Sequence, residues 1–409
     1  MFSFIHAADF HLDSPLRGLS RYEGAPVEEI RGATRRALTA LIDLALEEKV
    51  NFLVIAGDLY DGDQRDYSTA LFFNREMQRL AKAGIPVIAI RGNHDAEAVI
   101  TKALAPPSNV TFLPVKKPGS FSVPDLPVTI HGQGFAEAAV TENLVPDYPA
   151  AVAGHFNLGL LHTSLTGNPH HDRYAPCALP DLEQKGYHYW ALGHIHQPEV
   201  VREEPWVVYS GNLQGRKINE TGPRGCYLVG VDETFTLTRH EFVPLDVVRW
   251  DHQEIDLSGI ESLDDLRSAI RQSFLQAFQD ADGRLLCLRL TLTGATSLHG
   301  ELHADQNHWQ AECVSLAAQI DPARIWFEQL KFATTPTWEL TELAQRDDLT
   351  ASVLEALAKL ETSDSPTAVN ALEAKLPPAL SSSLQEDTET LSDDVAAIVL
   401  HSITTHSSD

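Results

Sequence analysis

Eight polar side chains follow directly on five apolar segments of the sequence. A single aspartate or histidine in such a place is usually a cap or a surface residue. Five such endings in one chain favour a shared site, because carboxylate, amide and imidazole groups are common metal ligands. The eight residues are Asp9, His11, Asp58, Asn93, His94, His162, His194 and His196.

A dinuclear metal centre accounts for this set of donors. A carboxylate shared between two cations, with histidine and asparagine donors around it, suits Mn, Fe or Zn, whereas Ca and Mg prefer all-oxygen sites. Two such ions about 3.5 to 4 Å apart hold a phosphate, activate a water and stabilise the leaving oxygen. The donor set therefore predicts chemistry on phosphate esters.

The segment at residues 87–91 shows how such an ending is built. Residues 87–90 are apolar and mostly β-branched, and Arg91, Gly92 and the triplet Asn93-His94-Asp95 follow them. The run predicts a buried strand, and glycine allows a sharp turn at its carboxyl end. Open α/β sheets bind ligands at that end of their strands.

The first hundred residues alternate between strand and helix patterns. Such alternation predicts a parallel sheet covered by helices. The spacing Asp9-x-His11 places both side chains on one side if the backbone is extended. The predicted strands are residues 2–8, 51–57 and 87–91, and the predicted helices are residues 26–48 and 66–82.

The pattern of predicted elements and the composition change twice in the rest of the chain. Short strands and turns after residue 106 predict later antiparallel hairpins, and together with the βα units they favour a two-sheet sandwich flanked by helices, residues 1–245. Residues 246–335 read as a small α+β domain. Residues 336–409 form an acidic tail, with 14 Asp or Glu against 3 Lys or Arg from residue 337, and short amphipathic helices are expected at 349–360 and 393–401.

Composition limits the function classes. The net charge of -26 argues against a protein whose whole surface holds nucleic acid, although two divalent ions would make a local cationic pocket. Four separated cysteines predict neither a zinc ribbon nor a disulfide framework, so a cytoplasmic location is expected. Residues 1–8 read as a strand rather than a signal peptide, and no membrane span of about 20 apolar residues is present.

The motifs, taken in order, resemble those of the calcineurin-like metallophosphoesterases over residues 1–245. Within that superfamily, the opening stretch at residues 4–13, Gly193-His194-Ile195-His196 and Tyr209-Ser210-Gly211-Asn212 are similar to the DNA repair exonuclease branch of SbcD-like and YhaO-type proteins. The resemblance implies a four-layer αββα sandwich, with residues 246–335 as a capping or DNA-binding domain.

The resemblance also implies a role for each motif residue. His94 is the catalytic histidine, with Asp95 as its partner, and manganese is the expected metal, with iron or zinc as alternatives. The repair nucleases often carry another histidine after the Gly-Asp motif, whereas residues 59–63 contain none. One metal would be held by Asp9, His11, Asp58 and His196, and the other by Asp58, Asn93, His162 and His194.

Other polar residues are given ordinary roles. His155 is expected to be structural, the pair His170 and His171 exposed, and the histidines at 299, 303 and 308 solvated. Four basic residues flank the expected cleft and could hold phosphates or form ordinary surface ion pairs. They are Arg91, Arg173, Arg216 and Lys217.

Three functions are consistent with these features. The first is a DNA exonuclease that acts with an SMC-like ATPase, for which the acidic tail is a docking segment, and which could form a homodimer as members of this branch do. The second is a small-molecule phosphatase or cyclic-nucleotide phosphodiesterase. The third is a subunit that binds DNA or a partner and has weak activity.

Overall fold

The computed structural model describes residues 1–16, 24–61, 67–97, 106–165 and 174–337. They divide into two units. One unit comprises Met1–Asp251 with Arg284–Leu286, and the other comprises His252–Gly283 and residues 287–337. Both helices predicted in the acidic tail, and also His170, His171 and Arg173, lie outside the described residues.

The first unit contains two six-stranded sheets. The first sheet has the order β12-β11-β1-β2-β3-β4, and the second has the order β5-β6-β7-β8-β10-β9. The strands are β1 Phe2–Ala7, β2 Phe52–Ile55, β3 Val87–Ala89, β4 Val110–Phe112, β5 Gly119–Ser122, β6 Val128–Gly132, β7 Phe156–His162, β8 Tyr189–Gly193, β9 Glu199–Glu203, β10 Trp206–Tyr209, β11 Gly225–Val231 and β12 Leu237–Pro244.

The first sheet has the parallel core that the βα alternation predicts. Strands β1 to β4 are parallel neighbours, and β11 and β12 extend the sheet in antiparallel pairings. The helix predicted over residues 26–48 is two helices, because Gly32 ends one and begins the next. The helices of this unit are α1 Val27–Arg31, α2 Ala33–Glu47, α3 Tyr67–Lys82, α4 Asn93–Glu97 and α5 Leu179–Glu183, and Val145–Asp147 form a 3-10 turn.

The predicted antiparallel hairpins are present as β5–β6, β9–β10 and β11–β12, but the second sheet also has a parallel interior that was not predicted. Strands β6, β7, β8 and β10 are parallel, and only the edge strands β5 and β9 pair antiparallel. The difference arises because the chain returns between parallel neighbours through longer segments, one of which contains α5, and such crossovers cannot be tight turns.

Three apolar layers hold these elements together. Between the sheets, Phe4 stacks on Phe52 at 5.0 Å and meets Tyr189 edge-on at 5.4 Å. Helices α2 and α3 cover the outer face of the first sheet. On the second sheet, Trp190 packs with Leu182 of α5. This is the αββα arrangement that the motif resemblance implies.

The second unit is a three-stranded sheet with helices. Strand order is β13-β14-β15. The expectation that His299 and His303 are solvated is wrong, because both are buried, whereas His308 is exposed. The elements are β13 Val248–Asp256, which begins in the first unit, α6 Leu263–Asp280, β14 Leu285–Thr296, α7 His299–Ala304, α8 Gln306–Ile320 and β15 Ile325–Pro336.

The cysteines and the described helices bear on two further expectations. All four cysteines are buried and free of disulfides. Among the described helices, none is both long enough and apolar enough to cross a bilayer.

Gly159 provides a test of the packing on the second sheet. A Cβ at Gly159 would lie 2.2 Å from the Trp190 ring, which is fully buried and donates its indole N–H to the carbonyl of Leu182. We expect Gly159→Ala to lower the free energy of unfolding by about 1–3 kcal/mol, since the ring has no room to move. Thermal unfolding measures this, with Val152→Ala at an exposed position as the control. Equal stability of the two variants would contradict the packing described.

Candidate metal centre

The structure brings the five apolar endings together at one end of the two sheets. Asp58 is the centre of the group: its Oδ2 lies 3.7 Å from His11 Nε2 and 3.5 Å from His162 Nε2. Asp9 Oδ1 lies 3.9 Å from His162 Nδ1, and Asn93 Oδ1 lies 2.9 Å from His162 Nε2. The described residues include three groups of possible ligand atoms: Asp9, His11 and His196; His11, Asp58 and His94; and Asp9, Asp58 and His162.

The loop after β1 is not extended, contrary to the spacing argument. Asp9 and His11 have φ angles of 53° and 42°, in the left-handed region that L-residues rarely adopt. Backbone bonds hold them there, because the N–H of Asp9 donates to the carbonyl of Gly57 and that of His11 donates to Asp58, both at 3.0 Å. Their side chains reach the site through this pairing of two loops.

Gly92 allows the backbone to lie close to the Asp58 carboxylate. A Cβ at Gly92 would lie 2.2 Å from Asp58 Oδ1. The backbone N–H of His94, at the start of α4, donates to the same oxygen at 3.0 Å. Asp58 itself has a φ of 52°. The backbone at Gly92 and His94 thus contacts the Asp58 carboxylate, and this contact positions the segments that carry Asp58 and Asn93 against each other.

Asp95 is held by backbone donors of two neighbouring segments. Its carboxylate accepts backbone hydrogen bonds from Leu59 and Tyr60, at 2.9 and 3.1 Å, and from Gly92 at 3.1 Å. Burial raises the pKa of Asp95 to about 7. The His94 ring lies beside a different carboxylate, since its Nδ1 is 3.5 Å from Asp61 Oδ1. Asp95 therefore holds the loops of the site, and Asp61 faces the candidate catalytic ring.

Two carboxylates that the sequence did not identify orient the histidines. Asp61 Oδ1 lies 2.6 Å from His11 Nδ1, and Glu220 Oε1 lies 2.8 Å from His196 Nδ1. Burial opposes the ionisation of both acids, but their histidine hydrogen bonds and nearby Arg216 hold both pKa values well below the usual range. An ionised carboxylate only accepts, so each Nδ1 carries the hydrogen and each Nε2 presents its lone pair.

The two Nε2 atoms converge on one point. They lie 3.1 Å apart. Burial lowers the pKa of His11 to about 4 and also lowers that of His196, so both rings are neutral at pH 7. Two lone pairs that face each other beside the Asp9 carboxylate repel unless a cation lies between them. The donor set in this half of the site fits a divalent metal ion.

The half of the site around His162, which Asp9 also borders, needs positive charge as well. Asp9, Asp58 and His162 are almost fully buried, and buried carboxylates are costly without a cation. Burial raises the pKa of Asp9 well above its ordinary value. For His162 burial acts to lower the pKa, but Asp58 and Asp9 outweigh it and raise the pKa to about 9. A proton on His162 thus supplies the charge that a metal ion would bring.

His194 completes this half of the site. Its backbone N–H donates to both oxygens of Asp9, at 3.1 and 3.0 Å, and its φ of 96° is strained for a residue with a Cβ. The His194 ring centroid lies 5.2 Å from that of His162 and 5.0 Å from that of Tyr174. His162 donates its Nδ1 hydrogen to the carbonyl of Ala56 at 2.9 Å, which leaves Nε2 for a metal once deprotonated.

An open cleft of about 740 Å³ lies over these groups. The His94 side chain is 43% exposed, whereas that of Asp58 is 2% exposed, so His94 is open to the cleft. Lys217 also lines the cleft. Arg91 instead lies over the Phe112 ring at 5.8 Å.

His155 is remote from the centre. It lies just before β7, at the opposite end of that strand from His162, and its Nδ1 is 2.9 Å from the hydroxyl of Thr129. This position agrees with a structural role.

Comparison with known proteins gives two family matches. The calcineurin-like phosphoesterase family matches residues 2–198, and the middle domain of the metallophosphoesterase YhaO matches residues 250–335. The chain is 35% identical to the uncharacterized metallophosphoesterase YhaO of Bacillus subtilis over 296 residues, which cover 71% of this chain and 72% of that protein.

More distant similarity is found to two archaeal proteins described as DNA double-strand break repair protein Mre11. The protein of Aeropyrum pernix is 28% identical over 55% of this chain and 56% of its own length. That of Sulfurisphaera tokodaii is 30% identical over 39% of this chain and 42% of its own length. The matched part spans about half of each of these relatives.

Metal binding is expected to release protons. Asp9 and His162 both have raised pKa values without a metal, and a metal can bind them only after they lose their protons. At pH 7 we expect Mn²⁺ binding to release about one proton or more, and we expect the affinity to rise with pH up to about 9. Calorimetric titration in two buffers of different ionisation enthalpy measures the number.

His162→Gln is the matched control for this titration, and it should release fewer protons than the natural protein. A binding heat that does not depend on the buffer would contradict the charge state inferred for the centre.

Proposed function

The chain belongs to the calcineurin-like metallophosphoesterases, and we propose that this member hydrolyses the DNA backbone as an exonuclease. One observation carries the proposal: half-exposed His94 stands in an open cleft beside a cluster of metal donors, in which the group Asp9, Asp58 and His162 is wholly buried. The nuclease-like motifs and the similarity to two proteins named for double-strand break repair support DNA as the substrate.

We propose that two ions would be held by the ligands that the family resemblance implies. Asp9, His11, Asp58 and His196 would hold one ion, and Asp58, Asn93, His162 and His194 the other. When bound, such ions supply a nucleophilic water at neutral pH and positive charge for the phosphate. Manganese is the proposed metal, since the ligands mix imidazole with carboxylate and amide oxygen.

The protein's own groups handle the substrate and the leaving group. His94 Nδ1 lies 3.5 Å from Asp61 Oδ1, so that carboxylate can orient the ring. From its exposed position, His94 can give a proton to the departing sugar oxygen. Lys217 on the cleft wall adds positive charge for the strand.

A second candidate is hydrolysis of a small phosphate ester, by a phosphatase or a cyclic-nucleotide phosphodiesterase. The observation that favours it is the size of the cleft, since about 740 Å³ is within the range of small-molecule sites. The net charge of -26 also offers no general attraction to DNA.

Replacement of His94 tests the catalytic proposal. We expect His94→Ala to reduce cleavage of end-labelled duplex DNA by about 100-fold or more, because general acid catalysis contributes that much, while bound Mn²⁺ stays at the natural level. His155→Ala is the matched control and should leave both unchanged. A panel of nucleotides and cyclic nucleotides is assayed in parallel.

Two results would overturn parts of this account. Full nuclease activity in His94→Ala removes His94 from the mechanism. Turnover of the small esters with no cleavage of DNA replaces the exonuclease by the second candidate.

We further propose an SMC-like ATPase as partner, with the acidic tail as its docking segment, and a homodimer as the assembly. The family resemblance suggests the partner and the dimer, and the amphipathic patterns of the tail suggest the docking segment. Those patterns lie within residues 338–409, outside the described residues. A protein shortened after Thr337 retains all of β15. We expect it to lose co-purification with the ATPase while its mass in light scattering stays that of a dimer. Unchanged recovery of the ATPase would rule out the tail.

A further inference from the structure

Arg216 lies between the two carboxylates that orient His11 and His196. Its Nη1 is 3.5 Å from Asp61 Oδ1, and its Nη2 is 3.4 Å from Glu220 Oε1. Its backbone N–H also donates to Glu220 Oε2 at 2.7 Å. The Arg216 side chain is 16% exposed, so little water screens these contacts.

Glu220 is held by more than this arginine. Its Oε2 also accepts a hydrogen bond from Asn212 Nδ2 at 3.0 Å, while Oε1 takes the Nδ1 hydrogen of His196. Both carboxylate oxygens are therefore engaged by donors alone. An amide in this place would direct its own N–H₂ at one of those donors, so the site requires a carboxylate.

The two halves of the metal centre differ in this outer layer. His11 and His196 are each held through Nδ1 by a carboxylate, and Arg216 joins those carboxylates. His162, in the other half, is held through Nδ1 by the backbone carbonyl of Ala56. A change of charge at Asp61, Arg216 or Glu220 therefore affects the half that contains His11 and His196. In the other half, the Ala56 carbonyl still holds His162.

We propose that Asp61, Arg216 and Glu220 form a positioning layer that sets the affinity of one metal ion, the ion held by Asp9, His11, Asp58 and His196, separately from that of the other. Fixed Nδ1–H groups keep both Nε2 atoms aimed at the ion, and the anionic partners raise the basicity of the rings. Arg216 contacts both carboxylates and fixes their positions relative to each other, so it orients both histidines together. The inference rests on the dinuclear centre proposed above but not on the identity of the substrate.

Glu220 gives the cleaner test, because Asp61 also faces His94. The full-length protein is stripped of metal and titrated with Mn²⁺ in the absence of DNA, with free Mn²⁺ followed by electron paramagnetic resonance. The natural protein should bind two ions. In Glu220→Gln we expect one of the two sites to weaken by about 10–100-fold and the other to keep its affinity.

Two further variants accompany Glu220→Gln. Arg216→Gln should weaken the same site, and it keeps the test available if Glu220→Gln does not fold, which thermal unfolding shows. Arg202→Gln removes an equal charge from an exposed pair with Glu183 and is the matched control that should change neither site.

The titration distinguishes a failure of the positioning layer from a failure of the dinuclear centre on which that layer depends. Two unchanged sites in both Glu220→Gln and Arg216→Gln, or an equal loss at both sites, overturn the positioning layer and leave the dinuclear centre in place. A natural protein that binds fewer than two Mn²⁺ overturns the dinuclear centre, and the positioning layer with it.

Discussion

The structure depends on the burial of two carboxylates, Asp9 and Asp58, at the end of its central sheets. Carboxylates removed from water must be compensated by positive charge, and the protein provides this with a proton on His162 and with backbone donors. The lone pairs of His11 and His196 face each other beside these two acids. The same constraint explains why the site fits divalent cations, since they satisfy acids and lone pairs together.

The fold places these groups by parallel strand ends and strained loops. Parallel strands bring successive loops to one edge, and the two sheets pack so that β7 and β8 meet β1 to β3 there. Asp9, His11, Asp58 and His194 all have positive φ angles, and loop-to-loop hydrogen bonds hold them in place. Such strain persists where packing over-determines it, as is common at functional sites.

The sequence predicted the parallel first sheet and the residues gathered at the ends of strands in both sheets, because apolar runs and their polar endings are local patterns. It did not predict Glu220, which lies 24 residues beyond His196 in a loop without periodicity. In the sequence, Asp61 belonged to a segment noted only because it contains no histidine. Its contact with His11 arises only when the chain folds. The parallel pairing of β6, β7 and β8 was missed because pairing direction depends on how the chain returns between strands, which short apolar runs do not record.

The central claim is that one buried cluster holds two metal ions that share Asp58. A crystal soaked in Mn²⁺ and measured at the manganese absorption edge tests it most directly. The account predicts two anomalous peaks, about 3.5 to 4 Å apart, one beside His11 and His196 and the other beside Asn93 and His162, with Asp58 between them. A single peak, or peaks only at surface carboxylates, would contradict it.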